Sequence, residues 1–172
     1  SMEREVSVEV GEELVSTTDT QGVIQYVNDH FCRVSGFSRE ELIGQHHNIV
    51  RHQDMPKAAF ADMWAKLKAK QAWRGAVKNR CNGGGYYWVD AFVTPVFEEG
   101  ELKGFQSVRT RLNGPYKAKA QQLYAKLNKG GKAFGWFDNK LSAKDVLYGI
   151  LATVFIALTF VSPFFALVSS FF

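Results

Sequence analysis

The chain has 172 residues, a hydrophobic fraction of 46% and a formal net charge of +4. This length and apolar content predict one compact domain with an appendage and exclude a disordered chain. The charge is modest and its lysines cluster late in the chain, so no nucleic-acid partner is predicted. The two cysteines, Cys32 and Cys81, have no partners at metal-ligand spacing, which argues against a disulfide framework and against a metal site.

Two short β-type segments, at residues 14–15 and 23–27, begin the predicted fold. The sequence TDTQG between them is typical of a turn and indicates a hairpin. Two short helices are predicted next. Asn28 is a helix-capping residue for the segment NDHFCRVSG, and Ser38 with Glu41 forms the S-x-x-E capping box of SREELIG.

A third helix is predicted after Asp54, because Asp is a start signal and Pro56 suits the first turn. Apolar side chains then recur at helical spacing and define one buried face: Phe60, Met63, Trp64 and Leu67. We expect Asp54 to cap this helix and to orient Arg51 or His52 beside it.

Three longer β-type segments follow, at residues 74–80, 86–97 and 102–111. The sequences NGGG and EEGE join them and are typical of hairpin turns. Two strands, several short helices and three strands predict an α+β domain with a five-stranded antiparallel sheet and short helices on one face. Cys81, beside the glycines, is expected to be an exposed loop thiol.

A lysine-rich helical connector is predicted after the sheet, beginning at Pro115 and ending at Gly130-Gly131. A helix attracted to anionic headgroups and a helix that docks on a partner domain fit its pattern equally well. Residues 146–172 carry no charge and predict a transmembrane helix, with a buried helix of a soluble bundle as the alternative. Pro163 marks either a kink in a single span or the turn of a hairpin anchor.

Several motifs resemble a known family. The spacing Asn28-x-x-Phe31-x-x-x-Ser35-Gly36-Phe37, followed by ELIG, is similar to the PAS sensor fold. More specifically, STTD, VRHQDMPKAAFADMW, VKNR and YYWV resemble the PAS domain of bacterial aerotaxis receptors, which are FAD-binding redox sensors. The resulting domain organisation is a segment with a tag-cleavage remnant (1–9), a PAS sensor domain (10–112), the connector (113–145) and the membrane anchor (146–172).

The resemblance implies an FAD-binding redox or oxygen sensor that signals through the flavin redox state and is not an enzyme. It places the chain in the bacterial inner membrane, with the PAS domain cytoplasmic, as the excess of lysines before the anchor also indicates. The implied partners are the membrane, a second copy in a homodimer, and the chemotaxis kinase CheA with CheW. Contact with the kinase would require a signalling domain that is absent from this chain.

A flavin needs flat apolar walls and a few hydrogen-bonding groups. Four aromatic residues are candidate walls: Phe60, Trp64, Trp73 and Tyr87. Asn79 shares a strand face with apolar residues, so its amide is expected to be buried and to need a ligand. Trp88 is expected to point away from this face. Arg51 and His52 are candidates for binding the pyrophosphate or adenine. Asp54 is expected to orient one of them and not to contact the cofactor itself.

Several alternatives remain open. A surface loop with an ordinary Arg-Asp ion pair also explains residues 51–54. Photoadduct chemistry is excluded at the motif GQHHN, because His47 stands where light-sensing PAS domains have cysteine. Haem is the second candidate, with His46, His47 and His52 as possible axial ligands. A cofactor-free interaction module is the third. Arg109 on the last strand is a candidate relay residue, and the sequence does not distinguish FAD from FMN.

Overall fold

The computed structural model describes residues 4–131. The predicted transmembrane helix and the end of the connector lie outside these residues. Within the described part of the chain, no helix is long and apolar enough to cross a membrane.

A five-stranded antiparallel sheet is the centre of the fold, as predicted, with strand order β2-β1-β5-β4-β3. The strands are β1 (Leu14–Asp19), β2 (Ile24–Val27), β3 (Trp73–Arg80), β4 (Tyr86–Glu98) and β5 (Glu101–Arg111). Only β1 differs much from its prediction, because it pairs with β5 along its whole length, as far as Asp19. The first strand of the sheet therefore pairs with the last one, inside the sheet.

Three helices and a 3₁₀ turn lie between β2 and β3: α1 (Asp29–Ser35), α2 (Arg39–Leu42), the turn His47–Val50 and α3 (Lys57–Lys68). The Asn28 side chain caps α1, and the capping box of Ser38 and Glu41 is present on α2, as predicted. The prediction for α3 is wrong in one respect. Pro56 occupies the N-cap position without a side-chain cap, and the carboxylate of Asp54 pairs instead with Lys78.

The connector helix, α4 (Gly114–Asn128), packs against the sheet of its own domain, on the face opposite α3. Its Tyr124 ring stacks on Trp88 of β4, with ring centroids 6.1 Å apart. The Tyr124 hydroxyl donates to the carbonyl oxygen of Ala76 at 2.6 Å. Trp88 therefore points away from the apolar face, as expected, but lies buried beneath a helix.

The expectation of an exposed thiol at Cys81 is wrong, because only 5% of this residue is exposed. Its Sγ donates to the carbonyl oxygen of Val34 at 3.4 Å, and the amide of Asn82 donates to Ser35. The hairpin that follows β3 thus folds back onto α1. Burial raises the pKa of the Cys81 thiol.

Candidate functional site

A cavity lies between α3 and the inner face of the sheet. Its volume is about 200 Å³. The sheet contributes residues from four strands whose alternation brings them to the same face, among them Thr18, Val77, Ala91 and Ser107. Because this face is largely apolar, a polar side chain that points into it needs a partner from a ligand or from the protein.

Aromatic side chains form one side of the cavity. The predicted apolar face of α3 lines it with Phe60, Met63, Trp64 and Leu67. The Trp64 ring meets Phe105 of β5 edge to face, with centroids 5.5 Å apart. Such rigid rings suit a flat amphipathic ligand, since they supply large contact area at low entropic cost.

Trp73 at the start of β3 completes the aromatic lining. Its indole N–H donates to the carboxylate of Asp62 on α3 at 2.8 Å, which fixes the ring. A Cβ atom at Gly75 would lie 2.5 Å from the Trp73 ring. Glycine at this position is therefore what allows the indole to lie along the strand.

Asn79 projects a buried amide into the cavity. The residue is 3% exposed, and its Nδ2 atom has no hydrogen-bond partner among the described residues. Tyr87 lies opposite Asn79 in the strand register and is fully buried, behind the lining. Its hydroxyl also lacks a hydrogen bond of good geometry within residues 4–131, and burial raises its pKa. The Asn79 side chain lies close enough to the Tyr87 hydroxyl to oppose slightly the effect of burial on its pKa, but neither donor has a hydrogen bond of good geometry among the described residues.

Arg109 of β5 places a guanidinium at the cavity and is only 4% exposed. Its Nη1 donates to Ser16 Oγ at 3.0 Å, and its Nη2 lies 2.8 Å from Nε2 of His47. The guanidinium also lies 5.3 Å from the centroid of the Phe31 ring. Burial lowers the pKa of Arg109 to about 10. Among the described residues, its hydrogen-bond partners are uncharged.

Arg51 lines the cavity on the side of α3. Its guanidinium lies 4.2 Å from the centroid of the Phe60 ring, and its Nη2 donates to the carbonyl oxygen of Met55 at 3.3 Å. Arg51 forms an isolated antiparallel bridge with Asn79, so its backbone runs along the free edge of β3. The predicted residues Arg51, Phe60, Trp64, Trp73 and Asn79 therefore share one cavity.

His52 and Asp54 lie on the opposite face of the sheet. The buried His52 ring meets Tyr86 edge to face, at 5.9 Å, and its Nδ1 accepts from the amide of Asp54. The Asp54 carboxylate accepts from Lys78 Nζ at 2.6 Å, and Lys78 holds the pKa of that carboxyl below its usual range. Because Arg51 bridges the edge of β3 in extended conformation, the next side chain points the other way.

Comparison with known proteins decides the family. A family model described as the PAS fold matches residues 24–109, which is half of the chain. The chain belongs to the PAS-fold family. The PAS domain region is 51% identical over 117 residues to the aerotaxis receptor of Escherichia coli (strain K12), covering 68% of this chain and 23% of that protein. The predicted resemblance is thereby confirmed.

A second relative is more distant in sequence. The nitrogen fixation regulatory protein of Klebsiella pneumoniae is 33% identical over 110 residues, which cover 63% of this chain and 22% of that protein. This chain thus spans less than a quarter of the length of these two curated relatives.

Solved structures agree on the fold. A PAS domain from Colwellia psychrerythraea has a TM-score of 0.54 at 20% identity, covering 58% of this chain and 86% of that one. The structure titled "Flavin Analogue Sheds Light on Light-Oxygen-Voltage Domain Mechanism" has a TM-score of 0.56 at 18% identity. The match covers 68% of this chain and 87% of that one.

Within the PAS domain, the sequence did not reveal the partnership of Arg109 with His47 and Ser16. These residues come from β5, the 3₁₀ turn and β1, and 62 positions separate Arg109 from His47. The signal available in the sequence was strand alternation, which places Ser16 and Arg109 inward once β1 and β5 are known to pair. For His47, the hydrogen bond from Arg109 occupies the nitrogen that a haem iron would need.

Proposed function

We propose that this PAS domain binds the isoalloxazine ring of FAD in the cavity and acts as a redox or oxygen sensor. The observation that carries the proposal is the Asn79 amide, which is buried in an aromatic cavity with its Nδ2 unpartnered among the described residues. A flavin ring offers carbonyl and nitrogen acceptors for this donor and flat faces for the surrounding rings.

The proposed contacts follow from the placement of the side chains. Phe60, Trp64 and Trp73 form apolar walls, and Asn79 donates to the ring. Arg51 is suited to the pyrophosphate, since a guanidinium binds phosphate with paired hydrogen bonds. In this proposal Tyr87 supports Asn79 from behind. His52 and Asp54 act from the opposite face, by holding the backbone next to Arg51.

Arg109 is the proposed relay residue. Bound FAD would supply reversible electron transfer, and reduction changes its charge and protonation. A buried guanidinium beside the cavity responds to such a change, because electrostatic interactions are strong where water is excluded. The hydrogen bonds from Arg109 to Ser16 and His47 connect this response to β1 and to the 3₁₀ turn.

The wider assignment rests on the relation to the aerotaxis receptor. We propose a sensor, not an enzyme, that belongs to a receptor of the bacterial inner membrane and is anchored through residues 146–172. The same proposal includes a homodimer and control of CheA through CheW by a signalling domain outside this sequence.

An absorption spectrum of the purified protein tests the proposal, followed by heat release and chromatography of the bound compound. We expect flavin bands and released FAD. A Soret band would favour haem, and released FMN would correct the cofactor. A folded protein that stays colourless after incubation with FAD would refute the flavin proposal and favour a cofactor-free interaction module.

A further inference from the structure

The loop of residues 51–55 lies between the cavity and α4, and its carbonyl groups accept hydrogen bonds on both sides. On the cavity side, Arg51 Nη2 donates to the carbonyl oxygen of Met55 at 3.3 Å. On the opposite side, Nδ2 of Asn128, the last residue of α4, donates to the carbonyl oxygen of Asp54 at 2.8 Å. Two consecutive carbonyl groups of one loop therefore accept hydrogen bonds from a cavity residue and from the helix.

We propose that this loop couples α4 to the cavity, with Asn128 as a positioning residue for Arg51. An anionic group in the cavity would compete with the neutral Met55 carbonyl for the guanidinium, because charge-assisted hydrogen bonds are the stronger ones. Loss of the bond to Met55 frees the peptide that follows Met55. The adjoining peptide, which carries the Asp54 carbonyl and whose N–H donates to the carbonyl oxygen of His52 at 3.1 Å, then shifts with the loop and changes the acceptor of Asn128. Coupling between sites is reciprocal, so release of α4 weakens binding in the cavity.

Other contacts confine the movement to this loop. The Lys78 Nζ holds the Asp54 carboxylate, and the backbone amide of Lys78 lies 3.2 Å from Sδ of Met55. These bonds tie the side chains of the loop to the rigid strand β3. The Met55 amide donates within the loop, to the carbonyl oxygen of His52. The carbonyls of Asp54 and Met55 are the loop groups that accept from outside the loop, from Asn128, or from the cavity residue Arg51.

Two opposing contributions determine how strongly α4 docks on the sheet. Its buried Tyr124 stacks on Trp88 and donates to Ala76, which favours the docked helix. Nε1 of Trp88, however, is buried with no acceptor among the described residues. An unsatisfied buried donor opposes burial, and water would satisfy it if the helix moved away. A small contribution such as the Asn128 bond can therefore change the docked population.

Amide hydrogen exchange of α4 tests the coupling without any ligand. The full chain is compared with Arg51→Ala and with Arg33→Ala as the matched control, since the exposed Arg33 pairs with Glu12 and lies in neither the loop nor the cavity lining. We expect exchange in the last turn of α4 to become about tenfold faster in Arg51→Ala and unchanged in Arg33→Ala. Equal exchange in the wild type and Arg51→Ala would overturn the proposal.

The reciprocal measurement uses FAD, and this part rests on the proposed function. We expect Asn128→Ala to weaken FAD binding three- to tenfold, with Asn113→Ala as the control at the opposite end of the helix, where the side chain makes no cap bond. Equal FAD affinity in the wild type and Asn128→Ala would overturn the positioning role while leaving the flavin proposal intact. A wild type without FAD affinity would refute the flavin proposal, and the exchange experiment would still decide the coupling.

Discussion

Nη2 of the buried Arg109 lies 2.8 Å from Nε2 of the half-buried His47, and both side chains line the cavity. A guanidinium has no acceptor, so His47 Nε2 must accept this hydrogen bond and cannot carry a proton. The imidazole is therefore neutral, with its proton on Nδ1. The positive charge of the cluster is on Arg109, and His47 and Ser16 orient it without neutralising it.

This arrangement predicts a stability that falls in mild acid. Burial, with a smaller contribution from Arg109, lowers the pKa of His47 to about 3. The unfolded state binds a proton below about pH 6.5, whereas the folded state does not, so the stability decreases as the pH falls towards 3. Between pH 8 and pH 5 we expect this residue to cost about 2 kcal/mol.

Urea unfolding of the wild type and of His47→Gln at both pH values measures this cost. Glutamine keeps an acceptor for Arg109 but does not titrate. The wild type should lose about 2 kcal/mol more than the variant over this interval. Equal losses would show that His47 does not account for the acid sensitivity.

Asn79→Ala separates a ligand-binding residue from a structural one. If the amide binds a ligand, its removal weakens FAD binding by about 5- to 30-fold, which corresponds to one or two kcal/mol of hydrogen bonding. The ligand-free protein should keep its stability within about 1 kcal/mol, since the buried Nδ2 makes no hydrogen bond of good geometry among the described residues. FAD titration and urea unfolding measure the two effects.

The exposed Asn82 in the following hairpin offers the matched control, Asn82→Ala. Normal FAD binding by Asn79→Ala, together with a loss of several kcal/mol in the ligand-free state, would instead identify Asn79 as a structural residue.

The strands were predictable because alternation and glycine-rich turns are local signals. The segments around Trp73 to Arg80 and Glu101 to Arg111 lie within one residue of their predicted limits. The direction of His52 was not predictable, because it depends on a bridge between Arg51 and Asn79 that forms only in the folded sheet. The burial of Cys81 likewise depends on the hairpin packing against α1, a contact between distant segments.

The cavity was predictable in its composition more than in its electrostatics. Helical spacing was enough to bring Phe60 and Trp64 to one face. The neutral state of His47, in contrast, depends on its desolvation in the fold and on Arg109, which lies on β5 beside β1 only once the two strands pair. The aromatic walls could be predicted from helical spacing alone. The contact between Arg109 and His47 could be predicted only from the strand order of the sheet.

Gly104→Ala tests the close pairing of β1 with β5. A Cβ atom at Gly104 would lie 1.9 Å from the carbonyl oxygen of Thr18, so the two strands would have to separate. We expect a loss of roughly 2–4 kcal/mol in unfolding free energy, in the range of severe local overpacking. Gly114→Ala, at the open first position of α4, should be neutral or stabilising by up to about 1 kcal/mol. Equal effects of the two substitutions would contradict the close approach of the strands.

Tyr124→Phe tests how α4 is held. The hydroxyl is buried, burial raises its pKa to about 12, and it donates to the carbonyl oxygen of Ala76. Its removal keeps the stack on Trp88 but leaves that carbonyl without the hydroxyl, so we expect a loss of about 1 kcal/mol in unfolding free energy. Tyr116→Phe on the same helix should change nothing, because Tyr116 is 64% exposed. Urea unfolding followed by tryptophan fluorescence measures both variants, and equal stability of Tyr124→Phe and the wild type would mean that this hydrogen bond does not hold the helix.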